Sequence, residues 1–118
     1  MTAKALKKFT AIAEQAQAQI DKFKVELDKD PAYALSWGTG VFQSAARLKV
    51  AKMLVYAFTE RDGETICTIE QARETMMDRV MHKARYPAQS TSPTSNLMEQ
   101  YEAAAYAEAL DELRYFTE

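Results

Sequence analysis

The chain has 118 residues, of which 47% are hydrophobic and 27% are charged. These proportions are typical of one soluble globular domain, and they exclude a disordered or low-complexity protein. The formal net charge of -2 is too small to indicate nucleic acid or an anionic membrane as a partner.

The first predicted helix spans about residues 2–29. Apolar residues recur there at alternating steps of three and four, which is typical of a helix with one buried face. Ala13 and Ala16 lie in the middle of this stripe, where small side chains allow a neighbouring helix to approach closely. The stripe consists of Leu6, Phe9, Ala13, Ala16, Ile20, Phe23 and Leu27.

The second predicted helix spans about residues 31–60 and begins almost directly after the first. Asp30 is a suitable N-cap residue and Pro31 suits the first helical position. Because so little chain separates the two helices, we expect them to be antiparallel neighbours. Two adjacent apolar rows run along the second helix, which indicates that it is the central helix of the core. One row is Trp37, Val41, Ser44, Leu48, Ala51, Val55 and Phe58, and the other is Phe42, Ala46, Val50, Met53 and Ala57.

Two glycines interrupt this second helix. Gly38 and Gly40 together cost about 2 kcal/mol relative to alanine in a helix interior. Either they kink one long helix, or Thr39 caps a new helix. We expect one long helix, kinked near Gly38 and Gly40.

The third predicted helix spans about residues 69–85 and follows a turn at Asp62 and Gly63. Thr68 and Gln71 have the spacing of a capping box at its start. We expect one face of this helix to enter the core, with methionines filling gaps rather than forming a binding groove. The inward stripe is Ile69, Ala72, Met76, Val80 and Ala84, with Met77 and Met81 beside it.

The fourth predicted helix spans about residues 93–116, with Ser92 as its cap and Pro93 at its first position. The chain shows no strand pattern, internal repeat or domain boundary. The sequence therefore predicts an all-α, four-helix, bundle-like single domain. The inward face of the fourth helix is expected to contain Leu97, Tyr101, Ala104, Ala105, Tyr106, Ala109, Leu113 and Phe116.

The segment of residues 85–96 joins the last two helices and is rich in proline, serine and threonine. It ends at a helix N-terminus, where free N–H groups and the helix dipole favour an anion. The segment is either an ordinary crossover, which we favour, or a site for a phosphate-bearing small ligand or nucleotide. Such a site would use Arg85, Tyr86, Ser90, Thr91, Ser92, Thr94 and Ser95.

Nucleophilic catalysis would require Cys67 and His82, the only residues of their types in the chain. No third residue that would orient the histidine can be named. Cys67 precedes Thr68, the position of a hydrophobic staple, and we expect it to pack toward Ala72.

A metal site has one candidate, since Glu70, Glu74, Asp78 and His82 follow one another at steps of four on one helix face. A metal centre in a bundle needs ligands from several helices, so we expect a solvated face instead. The chain also has no phosphate-binding glycine loop. We therefore expect no enzymatic activity, metal or cofactor.

Charge is distributed unevenly along the chain. Residues 1–96 contain fourteen Lys and Arg against eleven Asp and Glu, whereas residues 97–118 contain one Arg against six carboxylates. We expect the two parts to attract each other, within one molecule or between molecules. The basic residues do not merge into one stripe, so nucleic acid is not an expected partner. They form two clusters, Lys4, Lys7 and Lys8, and Arg47, Lys49 and Lys52.

Aromatic residues near helix ends are candidates for a protein interface: Tyr33, Trp37, Tyr115 and Phe116. The single cysteine and the lack of any apolar run near the ~20 residues of a membrane helix favour a cytoplasmic protein. Our leading hypothesis is a non-catalytic helical regulator, adaptor or inhibitor, of the kind that phages and mobile elements encode. It would bind a protein target or another copy of itself, and the anion site is the alternative.

Overall fold

The computed structural model describes residues 2–64, 67–86 and 93–116, with the backbone alone for residues 34–37 and 94. Within these ranges the chain forms four α-helices: α1 (Thr2–Lys29), α2 (Tyr33–Phe58), α3 (Ile69–Arg85) and α4 (Pro93–Leu113). The described residues contain no strand, only an isolated antiparallel bridge between Arg61 and Glu64. The predicted all-α, bundle-like fold is confirmed.

The helices pack in the order α1, α2, α4, α3, since α1 lies along α2, α2 packs on α4, and α4 packs on α3. α1 and α2 are antiparallel. Phe9 and Phe58 stack near one end of the pair, with ring centroids 6.4 Å apart. Phe23 and Tyr33 meet near the other end at 5.5 Å. The predicted antiparallel neighbours are therefore confirmed.

The hydrophobic core lies toward one end of the molecule and draws on all four helices. The core residues come from the first halves of α1 and α3 and from the second halves of α2 and α4. No α1 residue after Ala16 is buried. Leu54 is buried although neither predicted row contains it, whereas Ala84 and Ala104 are exposed. The core residues are Ala5, Phe9, Ala46, Val50, Leu54, Phe58, Ile69, Ala72, Met76, Ala105, Tyr106, Ala109 and Leu113.

α2 continues through both of its glycines as one helix. The alternative of a new helix capped by Thr39 is therefore wrong, while the kink stays a prediction. α2 begins at Tyr33, two residues later than predicted, because the preceding residues form a turn. In this turn the Asp30 carboxylate accepts a hydrogen bond from the Ala32 N–H at 3.0 Å. The N-cap position of α2 is Ala32, without a side-chain cap, so the prediction of Asp30 as the N-cap residue is wrong.

The connection from α2 to α3 follows the predicted turn and cap. Asp62 and Gly63 both have positive φ, at 54° and 78°, as the tight turn of a two-residue hairpin requires. At the start of α3, Thr68 Oγ1 accepts from the Gln71 N–H at 3.1 Å, and Gln71 Oε1 accepts from the Thr68 N–H at 3.0 Å. The predicted capping box is confirmed.

Carboxylates of α4 form ion pairs with each of the other three helices. Arg47 of α2 donates two hydrogen bonds to Glu108, at 3.0 and 3.2 Å, and Lys49 donates one to Glu102 at 2.5 Å. The uneven charge of the sequence is therefore compensated at least partly within one molecule. Two further pairs join α1 and α3 to α4: Lys8 with Glu112, and Lys83 with Glu99.

Arg73 of α3 binds the C-terminal end of α4. Its guanidinium donates to the Leu113 carbonyl at 3.1 and 2.9 Å and also to the Phe116 carbonyl. The last carbonyls of a helix have no intrahelical donor and carry the negative end of its dipole. A cation held there fixes the position of α3 against α4. α4 ends at Leu113, three residues earlier than predicted.

Substitution of the α2 glycines by alanine is expected to stabilise the protein. A Cβ atom added at Gly38 or Gly40 would meet no atom within 4 Å, so the change gains helix propensity without a clash. We expect Gly38→Ala and Gly40→Ala each to raise the free energy of unfolding by about 0.5–1 kcal/mol. Chemical denaturation would measure this, with Gly63→Ala as the control that loses stability because of its positive φ. Destabilisation by both helix variants would show that α2 requires the glycines.

The ion pair of Lys49 and Glu102 is expected to make stability depend on pH in the alkaline range. Glu102 is buried. The hydrogen bond to Glu102 raises the pKa of Lys49 above its ordinary value, although partial burial opposes this effect. The stabilisation is therefore fully present below the pKa of an unfolded lysine, about 10.4, and is lost as the pH rises through the higher folded value.

At neutral pH we expect Lys49→Met to lower the free energy of unfolding by about 1–2 kcal/mol, because it leaves a buried carboxylate without its partner. The difference from wild type should shrink above about pH 10.5, where lysine loses its charge. Thermal unfolding followed by circular dichroism across pH 7–11.5 would measure both effects. Lys52→Met, at an exposed position of the same helix, is the control and should change Tm little. A constant difference across this pH range would contradict the role of the ion pair.

Candidate functional site

The predicted anion site falls largely outside the described residues, since these omit 87–92 and the Thr94 side chain. The predictions for Ser90, Thr91 and Ser92 therefore concern residues outside the described ranges. Arg85 and Tyr86 are exposed at the end of α3, where the Tyr86 ring lies 5.0 Å from the His82 ring. Ser95 is exposed in the first turn of α4. The anion site stays a prediction.

The four aromatic candidates for an interface do not form one surface. Tyr33 is half-buried against Phe23 at the far end of α1, and the Trp37 side chain lies outside the described residues. Tyr115 is 74% exposed at the opposite end of the molecule, while Phe116 packs against the core.

The separation of these aromatic residues can be estimated along α1. Lys8 pairs with Glu112 near the end of α4, whereas Phe23 packs on Tyr33. Fifteen helical residues from Lys8 to Phe23 span about 22 Å at 1.5 Å per residue. Tyr33 and Tyr115 would therefore contact different parts of a partner, if both contact one. The interface role of each stays a prediction.

The methionines of α3 differ from the expectation that they fill the core. Met76 is 1% exposed, but Met77 and Met81 are 48% and 52% exposed. At 100° per residue, Met77 and Met81 are rotated by about 100° and 140° from Met76 around the helix axis. They therefore lie outside the arc that the core covers, and their assignment as core gap fillers is wrong.

An open groove between α3 and α4 lies beside these two methionines. Its volume is about 780 Å³. We call it the methionine groove, and its apolar lining is Met77, Val80, Ala107 and Leu110, with Met81 one turn further along α3. The groove is therefore apolar along its floor, while charged residues of both helices lie at its edges.

Charged residues surround the methionine groove, and most of them are paired. Arg73 binds the carbonyls at the end of α4, and Arg114 pairs with Asp111. Glu74 and Asp78 are exposed and have no bonded partner among the described residues. The uncompensated charge at this groove is therefore negative and lies on α3.

A smaller cavity of about 290 Å³ lies between α1, α2 and α4. We call it the three-helix cavity. The cavity exists because small side chains from all three helices meet there and leave space that larger residues would fill. The wall that these side chains form is apolar. The wall consists of Phe9, Ile12 and Ala16 from α1, Val50 and Ala51 from α2, and Ala105 and Ala109 from α4.

Polar residues line the mouth of the three-helix cavity. Arg47 and Glu108 face each other there in their bidentate ion pair. The hydrogen bonds to Glu108 raise the pKa of Arg47, against an opposing effect of partial burial. The other polar lining residues are Gln15, Gln19, Asp111 and Glu112.

The residues considered for catalysis are far apart. Cys67 lies before the first turn of α3, whereas His82 is exposed in its last turn. Thirteen residues from Ile69 to His82 span about 20 Å of helix. Cys67 packs against the core beside the start of α3, in agreement with the staple position predicted for it.

The part of the chain that the structure describes contains no cluster of three or more His, Cys, Asp or Glu side chains able to hold a metal ion. The stripe of Glu70, Glu74, Asp78 and His82 is exposed along α3. No described helix is both long and apolar enough to cross a membrane.

Neither of the two concave surfaces was expected from the sequence. A signal for the methionine groove exists in the sequence, since Met77 and Met81 are four residues apart and so share a helix face. The three-helix cavity has a weaker signal, namely the alanines of α4. Alanine favours any helix, so its presence alone does not distinguish a cavity wall from an ordinary helix.

Comparison of this chain with protein-family models, with curated proteins and with solved structures found no match. No relative therefore informs the role of either surface. The described residues offer two candidate binding surfaces, namely the methionine groove with its two unpaired carboxylates and the three-helix cavity with its charged mouth.

Proposed function

We propose that this protein acts by binding another protein, as a small regulator, adaptor or inhibitor, and that the methionine groove is its binding surface. The observation that supports the proposal is the exposure of Met77 and Met81, which are 48% and 52% exposed beside an apolar groove. Exposing two large apolar side chains to water is unfavourable, and a partner that covers them removes this cost.

The shape of the groove favours a helix as its occupant. It runs between two antiparallel helices and has small Ala107 on one side and flexible methionines on the other. Amphipathic helices bind in apolar grooves through residues spaced three and four apart. Methionine side chains adapt to such ligands because they have three rotatable bonds and a polarisable sulfur.

The charge beside the groove indicates the chemistry of the partner. Glu74 and Asp78 are exposed and have no bonded partner among the residues described. A helix with an apolar face flanked by Lys or Arg would supply the complementary charge, which increases the rate and specificity of association. The proposed partner is therefore a basic amphipathic helix of another protein.

A double variant, Met77→Gln with Met81→Gln, is expected to weaken partner binding at least tenfold, because it removes two apolar anchors. Its stability should change little, since both positions are about half-exposed. Affinity capture from native lysate with mass spectrometry would measure the loss, with light scattering for stoichiometry.

Val25→Gln is the matched control, because Val25 is 53% exposed on α1 and outside the groove. The control should capture the same proteins as wild type. Glu74→Lys with Asp78→Lys should weaken capture of a basic partner in the same experiment. Equal capture by wild type and the methionine double variant would exclude the groove as the binding surface. If the captured protein is a second copy of the chain, light scattering will show a dimer that the double variant loses.

A further inference from the structure

We propose that the three-helix cavity binds a small cationic ligand, namely an amine with one compact apolar body. This site is on a different part of the molecule from the methionine groove and does not depend on the proposed protein binding. The size of the cavity, its apolar wall and the charges at its mouth support this proposal.

The cavity has the size and lining of a small-molecule site. Its volume of about 290 Å³ is close to the lower limit of ligand pockets, roughly 300 Å³. Phe9, Val50 and Ala109 of its wall are at most 5% exposed and belong to the hydrophobic core. Because core side chains back the wall, the cavity is preformed and a ligand does not have to open it.

The charged residues at the mouth favour a cation. The lining contains one guanidinium, on Arg47, and three carboxylates, on Glu108, Asp111 and Glu112. Glu108 is occupied by the bidentate bond from Arg47, and Asp111 is paired with Arg114. Glu112 is therefore the carboxylate at the mouth with the greatest remaining capacity to accept hydrogen bonds.

The chain itself places an ammonium group close to Glu112. The Lys8 Nζ lies 4.0 Å from Glu112 Oε2, which is too long for a direct hydrogen bond. The Lys8 side chain is 48% exposed, so water screens this pair and little is lost when it separates. A ligand ammonium can replace Lys8 at Glu112 while its apolar body contacts Phe9 and Ile12.

The test is an NMR titration of the full chain, observing backbone amides, with three probes of similar size and different charge. These are 2-phenylethylamine, 3-phenylpropionate and neutral 2-phenylethanol. We expect the amine to shift the amide signals of Ile12, Ala51 and Ala109, with a dissociation constant at least tenfold lower than that of the carboxylate. Glu112→Gln should weaken binding of the amine several-fold and leave the weak binding of 2-phenylethanol unchanged.

Occupation of the cavity is tested with a matched pair of α1 variants. Ile12→Phe places a larger side chain in the wall and should abolish the shifts, whereas Ile20→Phe, two turns away and outside the lining, should retain them. Circular dichroism and Tm would verify that both variants fold. If Ile12→Phe does not fold, Ala16→Leu fills the same space from the same helix.

Three results would overturn the proposal. The first is the absence of shifts with the amine up to its solubility limit. The second is equal binding of amine and carboxylate, which would exclude selection for a cation. The third is binding that a folded cavity-filling variant retains, which would place the probe elsewhere. None of these results bears on capture of a protein by the methionine groove, so the two proposals fail independently.

Discussion

The packing of α4 against both α2 and α3 joins the two pairs of helices around one hydrophobic core. α1 and α2 already form an antiparallel pair, while α3 packs chiefly on α4. Tyr106 of α4 lies in the core and directs its hydroxyl to the sulfur of Met53 on α2 at 3.8 Å. Burial of such residues supplies most of the stabilisation. The ion pairs around them contribute less, because most are partly exposed, and they mainly fix how the helices are aligned.

Features that depend on neighbouring residues in the chain could be predicted from the sequence. The four helices, the capping box of Thr68 and Gln71, and the turn at Asp62 and Gly63 are local, and the structure confirms each of them. Helix propensity and capping depend on residues within a few positions of one another, so a helix and its cap can be predicted without knowing the fold. The boundaries were less accurate, since α4 ends three residues before the predicted position.

The candidate sites depend on which helices become neighbours, and the sequence indicated this only for α1 and α2, which a very short turn joins. Periodicity shows that Met76, Met77 and Met81 lie on adjacent parts of α3, but it does not give the width of the arc that other helices cover. Because α3 packs chiefly on α4, that arc is narrow and two methionines remain exposed.

Likewise, the ion pair of Arg47 and Glu108 joins residues 61 positions apart. The opposite charges of the two regions were visible in sequence, whereas the individual pairs were not.

The order of the helices along the chain has a consequence for how the domain is assembled. α1 and α2 are consecutive and joined by a very short turn, so their hairpin can form early from nearby residues. α3 follows, but its principal neighbour is α4, which comes after it. During synthesis on the ribosome, the apolar faces of α2 and α3 that pack on α4 therefore stay uncovered until α4 has emerged. Exposed apolar faces of this kind are the surfaces that chaperones bind and that promote aggregation of incomplete chains.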